Sequence, residues 1–266
     1  MKLAFSTIGC PNWTFDEIFA AAKDLGYNAV EVRGLGHEIY VPKVKEFSDF
    51  YIDSTMERFA NAGLAVSMFT SSAVVGNEKG KAEAIDYIDL AYKANVPFVR
   101  VMISQNAEPE ETDVARAATA YSEICEYASD KNVCPLIETN GIFADSAVLA
   151  KFIKEIDCKN KGILWDINHP VRFFGEKAEQ TYENIGEYVK YLHIKDSVQK
   201  NGKIEYRMTG HGDLPVAEIL RLLSKDSFDG FLSLEWTKRW LPELQEPGIV
   251  FSHYINHMRD ILSKIK

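Results

Sequence analysis

The chain has 266 residues, of which 46% are hydrophobic and 26% are charged, a composition typical of a globular protein. Its 39 acidic and 30 basic residues give a formal net charge of -9, and no basic run is present, so we expect no nucleic-acid partner. No apolar stretch reaches the roughly 20 residues of a membrane-spanning helix, and the first residues begin a strand pattern, so we expect neither a membrane anchor nor a signal peptide. The four cysteines lack CxxC spacing, which predicts free thiols and a cytoplasmic location.

Eight strand-like segments alternate with helical patterns along the chain. They begin near Lys2, Asn28, Leu64, Pro97, Cys134, Gly162, Tyr188 and Gly230. Such alternation indicates parallel strands joined by helical crossovers, and eight units in about 250 residues match a (β/α)8 barrel. We therefore predict a single (β/α)8 TIM barrel, of class α/β, as one domain over residues 1–266. A doubly wound open sheet is the competing fold.

The helix signals support this alternation. Thr14 and Glu17 have the spacing of a capping box, and Gly26 predicts the end of the same helix. Apolar residues at helical spacing predict further helices over 81–94 and 112–128, and a final helix over about 250–265.

Four of the strand-like segments end on a side chain that can bind a metal: Glu138, Asp166, His193 and Glu235. A strand that is buried on both faces has little use for such groups unless they share a partner. In a barrel all four would point inward at the carboxyl ends of the strands, where barrel enzymes have their active sites. We therefore predict that they bind one divalent cation. Three carboxylates and one imidazole suit Mn²⁺, Mg²⁺ or Co²⁺, and Zn²⁺ is possible. The alternative is that each group forms its own salt bridge with a nearby Lys or Arg.

Other polar side chains also face the predicted barrel interior. Glu31 and Arg33 on the second strand and Arg100 on the fourth predict an ion pair inside the barrel. Asn140, two residues after the fifth strand, is a candidate for binding a substrate hydroxyl.

Several segments together resemble the xylose isomerase-like barrel superfamily, which includes the D-tagatose/D-psicose 3-epimerases. The resemblance covers nearly the whole chain, from STIGCPNWTFDEIFAAAKDLGYNAVEVR through LIETN, WDINHP, YLHIKDS and TGHGDLP to GFLSLEW. It implies a metal held by Glu138, Asp166, His193 and Glu235, with the two glutamates also moving a proton, and His169 as a ligand of substrate oxygen. The family's basic residue after the metal histidine has no clean counterpart, so Lys195 or Arg207 would take its place. The resemblance also suggests a homodimer or homotetramer.

These residues suit a particular chemistry. Two carboxylates on opposite faces of a carbon next to a carbonyl can remove a proton on one side and deliver one on the other. We therefore expect a divalent-metal-dependent sugar isomerase or epimerase, with Glu138 and Glu235 as catalytic residues. It would move a proton through a metal-bound enediolate of a ketose or related keto-polyol, and its substrate would be a sugar or sugar phosphate. No P-loop or GxGxxG run is present, so no organic cofactor is expected.

Three alternatives remain at this stage. The same barrel could dehydrate a keto-polyol of the inosose type. An endonuclease-IV-type repair enzyme would need three zinc ions and additional histidines, which the ends of the third and fourth strands do not offer. A noncatalytic carbohydrate-binding barrel would not need an intact set of metal ligands.

Overall fold

The computed structural model describes residues 1–265. Eight parallel strands form a closed barrel in the order β1-β10-β7-β6-β5-β4-β3-β2. The barrel strands are β1 (Lys2–Ser6), β2 (Ala29–Val32), β3 (Ala65–Val74), β4 (Phe98–Met102), β5 (Cys134–Glu138), β6 (Gly162–Asp166), β7 (Val189–Ile194) and β10 (Phe231–Leu234). The predicted (β/α)8 barrel is therefore confirmed, and the competing open sheet is wrong. Each strand begins within one residue of its predicted start.

Helices surround the barrel. They are α1 (Phe15–Leu25), α2 (Ile52–Asn61), α3 (Glu78–Lys93), α4 (Val114–Ser129), α5 (Ser146–Glu155), α6 (Asn168–Phe174), α7 (Ala178–Ile185), α8 (Val216–Lys225) and α9 (Pro247–Lys264). The capping box of α1 is present: the Glu17 carboxylate accepts from the Thr14 N–H at 2.7 Å, and the Thr14 hydroxyl accepts from the Glu17 N–H at 3.3 Å. None of the helices within residues 1–265 is long and apolar enough to cross a membrane.

Successive residues of a barrel strand face alternately into the barrel and towards the surrounding helices. Leu136, Leu164 and Tyr191 form a cluster with Met68 and Cys134 inside the barrel. The residues that follow them, Ile137, Trp165 and Leu192, belong to the larger core between barrel and helices. Because faces alternate along a strand, the next residues in sequence, Glu138, Asp166 and His193, return to the interior. This alternation brings the predicted ligands to the carboxyl end of the barrel.

An antiparallel hairpin, β8 (Asp196–Lys200) and β9 (Lys203–Arg207), follows β7 and was not predicted. Its turn is formed by Asn201 and Gly202, both with positive φ (52° and 75°). An Asn-Gly pair between two short strands is a strong hairpin signal, because both turn positions require the left-handed region. The hairpin starts at the carboxyl end of β7, so it stands at the end of the barrel that carries the ligands.

Candidate metal centre and active site

The four predicted ligands converge inside the barrel. One ligand atom each from Glu138, Asp166, His193 and Glu235 lies within 4.8 Å of the others, and all four side chains are buried. β5, β6 and β7 each contribute a residue at or near their carboxyl ends, and the fourth directly follows β10. The strand register places Asp166 opposite His193 and His193 opposite Ser233. These neighbouring strands thus bring together residues that lie nearly 100 positions apart in sequence.

The imidazole of His193 is held between carboxylates on both of its nitrogens. Nδ1 lies 3.1 Å from Glu138 and 3.5 Å from Glu235, whereas Nε2 lies 3.2 Å from both oxygens of Glu31 on β2. Glu31 is itself fixed, because the hydroxyl of Thr70 donates to it at 2.7 Å. A metal-bound histidine usually donates its second ring N–H to a carboxylate in this way. The sequence predicted an ion pair for Glu31 but not this partner.

Two cations of the chain also lie among the carboxylates. Arg100 on β4 lies 3.0 Å from Glu138 and 4.0 Å from Glu235. Lys195 lies 2.7 Å from Asp166 and also contacts Glu235. Each carboxylate therefore has a basic neighbour, as the salt-bridge alternative required, while the ligand atoms still converge, as the metal prediction required. The predicted ion pair inside the barrel exists, but it joins Arg100 to Glu138, and Arg33 instead donates to the Ser72 hydroxyl at 2.6 Å.

These neighbours shift the pKa values of the buried groups. Burial alone would raise the pKa of each glutamate, but Arg100 and then His193 hold the pKa of Glu138 well below its usual range. Lys195 and His193 likewise lower the pKa of Glu235 to about 2 despite its burial. Burial would lower the pKa of Lys195, yet Asp166 and Glu235 hold it well above its usual value. Both glutamates are therefore ionised, and the lysine is charged, at neutral pH.

The arrangement fits a divalent cation in three respects. Metal–oxygen bonds of about 2.1 Å place two ligands of one ion at most about 4.2 Å apart, so a spread of 4.8 Å needs only a small inward adjustment. Oδ2 of Asp166 is buried and accepts no aligned hydrogen bond within the described chain, although the Lys195 ammonium is 2.7 Å away. Finally, carboxylates 4 Å apart repel by about 4 kcal/mol per pair at an effective dielectric of 20, and a divalent cation would offset that repulsion.

Two predicted substrate ligands follow the strands that carry Glu138 and Asp166. His169, on α6, is buried; its Nδ1 lies 2.9 Å from the Thr139 carbonyl, which leaves Nε2 at 3.6 Å from Asp166. The Asn140 amide nitrogen donates to the carbonyls of Ser104 and Asn106 at 2.9 and 3.2 Å. The buried amide oxygen of Asn140 has no hydrogen-bond partner among residues 1–265, which is uncommon for a buried polar atom.

The two candidates for the basic residue after His193 lie in different places. Lys195 is part of the cluster. Arg207, at the end of β9, pairs with Glu205 and donates to the Tyr206 carbonyl at 3.0 Å. The structure thus brings Lys195, but not Arg207, together with the four ligands.

Aromatic side chains that the sequence did not single out lie next to the cluster. The ring of Phe173 on α6 is 5.7 Å from that of His169, and the Lys195 ammonium is 6.0 Å from the ring of Tyr206. Both aromatic residues line a cavity of about 1080 Å³. The signal for Tyr206 was present in sequence, because the Asn201-Gly202 turn predicts a hairpin that returns to the site.

The closed eight-stranded barrel thus carries a possible metal site of three carboxylates and a histidine at the carboxyl ends of its strands, the end where barrel enzymes have their active sites. The model of the xylose isomerase-like TIM barrel family matches residues 19–258, so the chain belongs to that family.

Proteins similar to this chain include an epimerase and a probable dehydratase. Fructoselysine 3-epimerase from Escherichia coli O157:H7 is 20% identical over 277 aligned residues, which cover 98% of each protein. The IOLI protein, solved with a bound zinc atom, has a TM-score of 0.81 at 16% identity, with 100% of this chain and 99% of that one covered. The probable 3-DHS dehydratase AsbF from Bacillus anthracis has a TM-score of 0.79 at 16% identity, with 97% and 99% covered. At these identities the structural likeness establishes the fold alone.

Proposed function

We propose that the protein is a divalent-metal-dependent sugar epimerase or isomerase that moves a proton on a carbon next to the carbonyl of a ketose. One observation carries the proposal: Glu138 and Glu235 lie together in one buried cluster with Asp166 and His193. Two ionised carboxylates in one site can accept and return a proton at one substrate carbon. The epimerase among the curated relatives, similar over nearly its whole length, supports this reaction class.

The low pKa values of the two glutamates set a chemical condition. A carboxylate whose pKa is lowered is a weaker base, so the C–H bond of the substrate must be made more acidic before either glutamate can break it. A divalent ion held by Glu138, Asp166, His193 and Glu235 would act as a Lewis acid that polarises the substrate carbonyl. Mn²⁺, Mg²⁺ and Co²⁺ suit this set of ligands, and Zn²⁺ is also compatible.

Other residues of the site would orient the sugar. The free amide oxygen of Asn140 would accept from a hydroxyl, and Nε2 of His169 would contact a substrate oxygen. The ammonium of Lys195 would stabilise the negative charge that develops as the carbon loses its proton. No step in this scheme needs an organic cofactor.

Exchange of substrate hydrogen with solvent tests the proposal. Purified protein would first be subjected to elemental analysis and then incubated in deuterated water with free and phosphorylated ketoses and Mn²⁺, Mg²⁺, Co²⁺ or Zn²⁺. We expect a bound divalent metal, together with deuterium incorporation next to the carbonyl of one ketose and a new stereoisomer or aldose. Net loss of water would instead assign a dehydratase, and no exchange with any ketose would contradict the proposal.

A further inference from the structure

One buried guanidinium has no role in the chemistry described so far. Arg33 directly follows β2, and only 6% of its surface is exposed. Its Nη2 donates to the Ser72 hydroxyl at 2.6 Å, whereas its buried Nη1 has no hydrogen-bond partner in the described chain. A buried charge normally has a partner of opposite charge, because nothing else replaces the water that it loses. Arg33 has only a neutral hydroxyl.

The carboxylates of the barrel interior already contact other cations. Those cations are Arg100, Lys195 and His193, and they contact Glu31, Glu138, Asp166 and Glu235. Glu83 on α3 is also committed, because its carboxylate accepts from the Ser72 N–H at 2.6 Å. Among residues 1–265, the guanidinium of Arg33 is therefore the cation of this region that lacks an acidic partner.

The contacts between β2 and β3 place Arg33 one layer nearer the mouth of the barrel than Glu31. Thr70 donates to Glu31 at 2.7 Å, and two residues further along both strands Arg33 donates to Ser72. The strands are parallel, and two residues span about 6.6 Å, so the backbone of Arg33 lies about that much closer to the carboxyl end of the barrel. Barrel enzymes bind their substrates at this end.

A second guanidinium lies beside the first. Nη2 of Arg100 donates to the Ser71 carbonyl at 2.6 Å, so the two arginines bond to consecutive residues of β3. Burial and then the neighbouring Arg100 lower the pKa of Arg33 to about 10, which leaves Arg33 charged at neutral pH and repelled by Arg100. Arg100 in turn lies 3.0 Å from Glu138. An anion bound by Arg33 would offset this repulsion close to the proposed site of proton transfer.

The unpaired charge distinguishes between classes of ligand. A hydroxyl of a neutral ketose could accept from Nη1 of Arg33, but it would leave the buried charge without a counter-charge. A carboxylate or a phosphate accepts the same hydrogen bond and also supplies that charge. Hydrogen bonds between two ionised groups are roughly twice as strong as those between neutral groups, and the guanidinium fork matches the spacing of carboxylate and phosphate oxygens.

We propose that the substrate is an anionic ketose, whose carboxylate or phosphate is bound by the guanidinium of Arg33. The inference rests on the proposed function, since the ketose carbon that loses its proton lies at the Glu138–Glu235 cluster. Arg33 binds the substrate and determines specificity, and it takes no part in proton transfer.

Ketoses that differ in charge test this substrate class. Fructose is neutral, fructose 6-phosphate carries a phosphate, and 5-ketogluconate is a ketose with a carboxylate. Deuterium exchange, followed by proton NMR in the presence of the metal that the elemental analysis identifies, gives kcat/KM for each. We expect one anionic ketose to exceed fructose in kcat/KM by about tenfold or more, as expected for a hydrogen bond to a charged group. The better of the two identifies the oxyanion as a carboxylate or a phosphate.

Variants assign the preference to Arg33. Arg33→Met removes the charge and retains most of the apolar stem. We expect it to lower the ratio of kcat/KM between the preferred anionic ketose and fructose by about tenfold. A purely structural role would lower both values alike and leave their ratio unchanged. Arg221→Met removes an exposed arginine from α8, so it should keep the wild-type ratio.

Anion binding can also be measured without turnover. Calorimetric titration of the protein as purified, with inorganic phosphate and with acetate at constant ionic strength, gives the affinity for each anion. We expect the anion that matches the preferred ketose to bind about tenfold more weakly to Arg33→Met than to the wild type and to Arg221→Met. Circular dichroism checks that the variants are folded. The preference of the wild type among the three ketoses decides the substrate class even if Arg33→Met does not fold.

The outcomes separate the two proposals. Equal kcat/KM for neutral and anionic ketoses, or an undiminished preference in folded Arg33→Met, would overturn the substrate class and leave the epimerase proposal standing. No exchange with any ketose, together with anion binding that depends on Arg33, would overturn the epimerase proposal and retain Arg33 as an anion ligand. No exchange and equal anion affinity in wild type and Arg33→Met would overturn both.

Discussion

The ammonium of Lys195 lies 2.7 Å from the carboxylate of Asp166, inside the barrel and out of contact with solvent. The same ammonium contacts Glu235, so one lysine bridges two of the four candidate metal ligands. A charge at this position acts in two opposite ways. It stabilises the folded chain by offsetting repulsion among the carboxylates, and it weakens the attraction of the same carboxylates for a cation.

Replacing this lysine should therefore change metal affinity and stability in opposite directions. We expect Lys195→Met to bind Mn²⁺ about tenfold more tightly, because removing a like charge within about 4 Å of the ligands changes the interaction by several kcal/mol before relaxation. The metal-free variant should be less stable by about 3–5 kcal/mol, the usual cost of leaving a buried charge without its partner. Calorimetric titration with Mn²⁺, and thermal unfolding with EDTA and with Mn²⁺, measure the two effects.

The matched control for this variant is Lys200→Met, which removes an exposed lysine from the neighbouring hairpin. It should leave both quantities unchanged. Unchanged or weaker Mn²⁺ affinity in Lys195→Met would show that the lysine does not oppose the cation.

The two glutamates should be essential for turnover and dispensable for folding. Glu138→Gln and Glu235→Gln each keep the size and hydrogen-bonding capacity of the side chain but remove its charge and its basicity. Each should lower the exchange rate by about 10² to 10⁴ or more, the range for loss of one acid–base group, with further loss from weaker metal binding. Circular dichroism should show a folded barrel. Glu155→Gln, on the exposed side of α5, is the control. A wild-type exchange rate in Glu138→Gln or in Glu235→Gln would remove the substituted glutamate from the mechanism.

Much of this arrangement could be predicted from sequence, because its main signals are local. A parallel strand that is buried on both faces is a short apolar run, so strand starts were predictable within one residue. A side chain's face follows from parity within a strand, which predicts Glu138, Asp166 and His193 as interior residues. Parity does not predict which interior residues touch each other, because those contacts depend on the stagger between strands that a barrel imposes. Parity placed Arg100 and Glu31 inside, but only the closed barrel brings Arg100 to Glu138 and Glu31 to His193.

The contact between Glu31 and His193 leads to a prediction on metal binding. Glu31 accepts from Nε2 of the imidazole and so fixes the ring with Nδ1 directed at Glu138 and Glu235. Glu31→Gln should weaken Mn²⁺ binding about 10- to 100-fold, the usual cost of removing the partner of a ligating histidine. Calorimetric titration measures the change. Glu57→Gln, on the exposed face of α2, is the control for the loss of an acidic charge. Equal Mn²⁺ affinity in the wild type and in Glu31→Gln would show that Glu31 does not hold His193 in place for metal binding.

Three histidine rings lie close together at the C-terminal helix. The ring of His253 lies 5.2 Å from that of His211 and 5.7 Å from that of His257, one turn further along α9. Burial and then the neighbouring His253 lower the pKa of His257, and Asp260 and Asp196 oppose the shift only in part. The unfolded chain therefore takes up a proton at His257 more readily than the folded protein does.

The direction in which stability changes with pH follows from this difference between the folded and unfolded pKa of His257. A histidine whose pKa is lowered by folding contributes its full stability above its unfolded value of about 6.5, and that contribution is lost as the pH falls towards the folded value. The stability of the wild type relative to His257→Gln should therefore be greater at pH 8 than at pH 5, as measured by urea unfolding at both pH values. Asn256→Gln, at an exposed and non-titrating position of the same helix, should differ from the wild type by the same amount at both. A wild type that gains stability over His257→Gln on acidification would mean that His257 is protonated in the folded protein, with Asp260 or Asp196 as its partner.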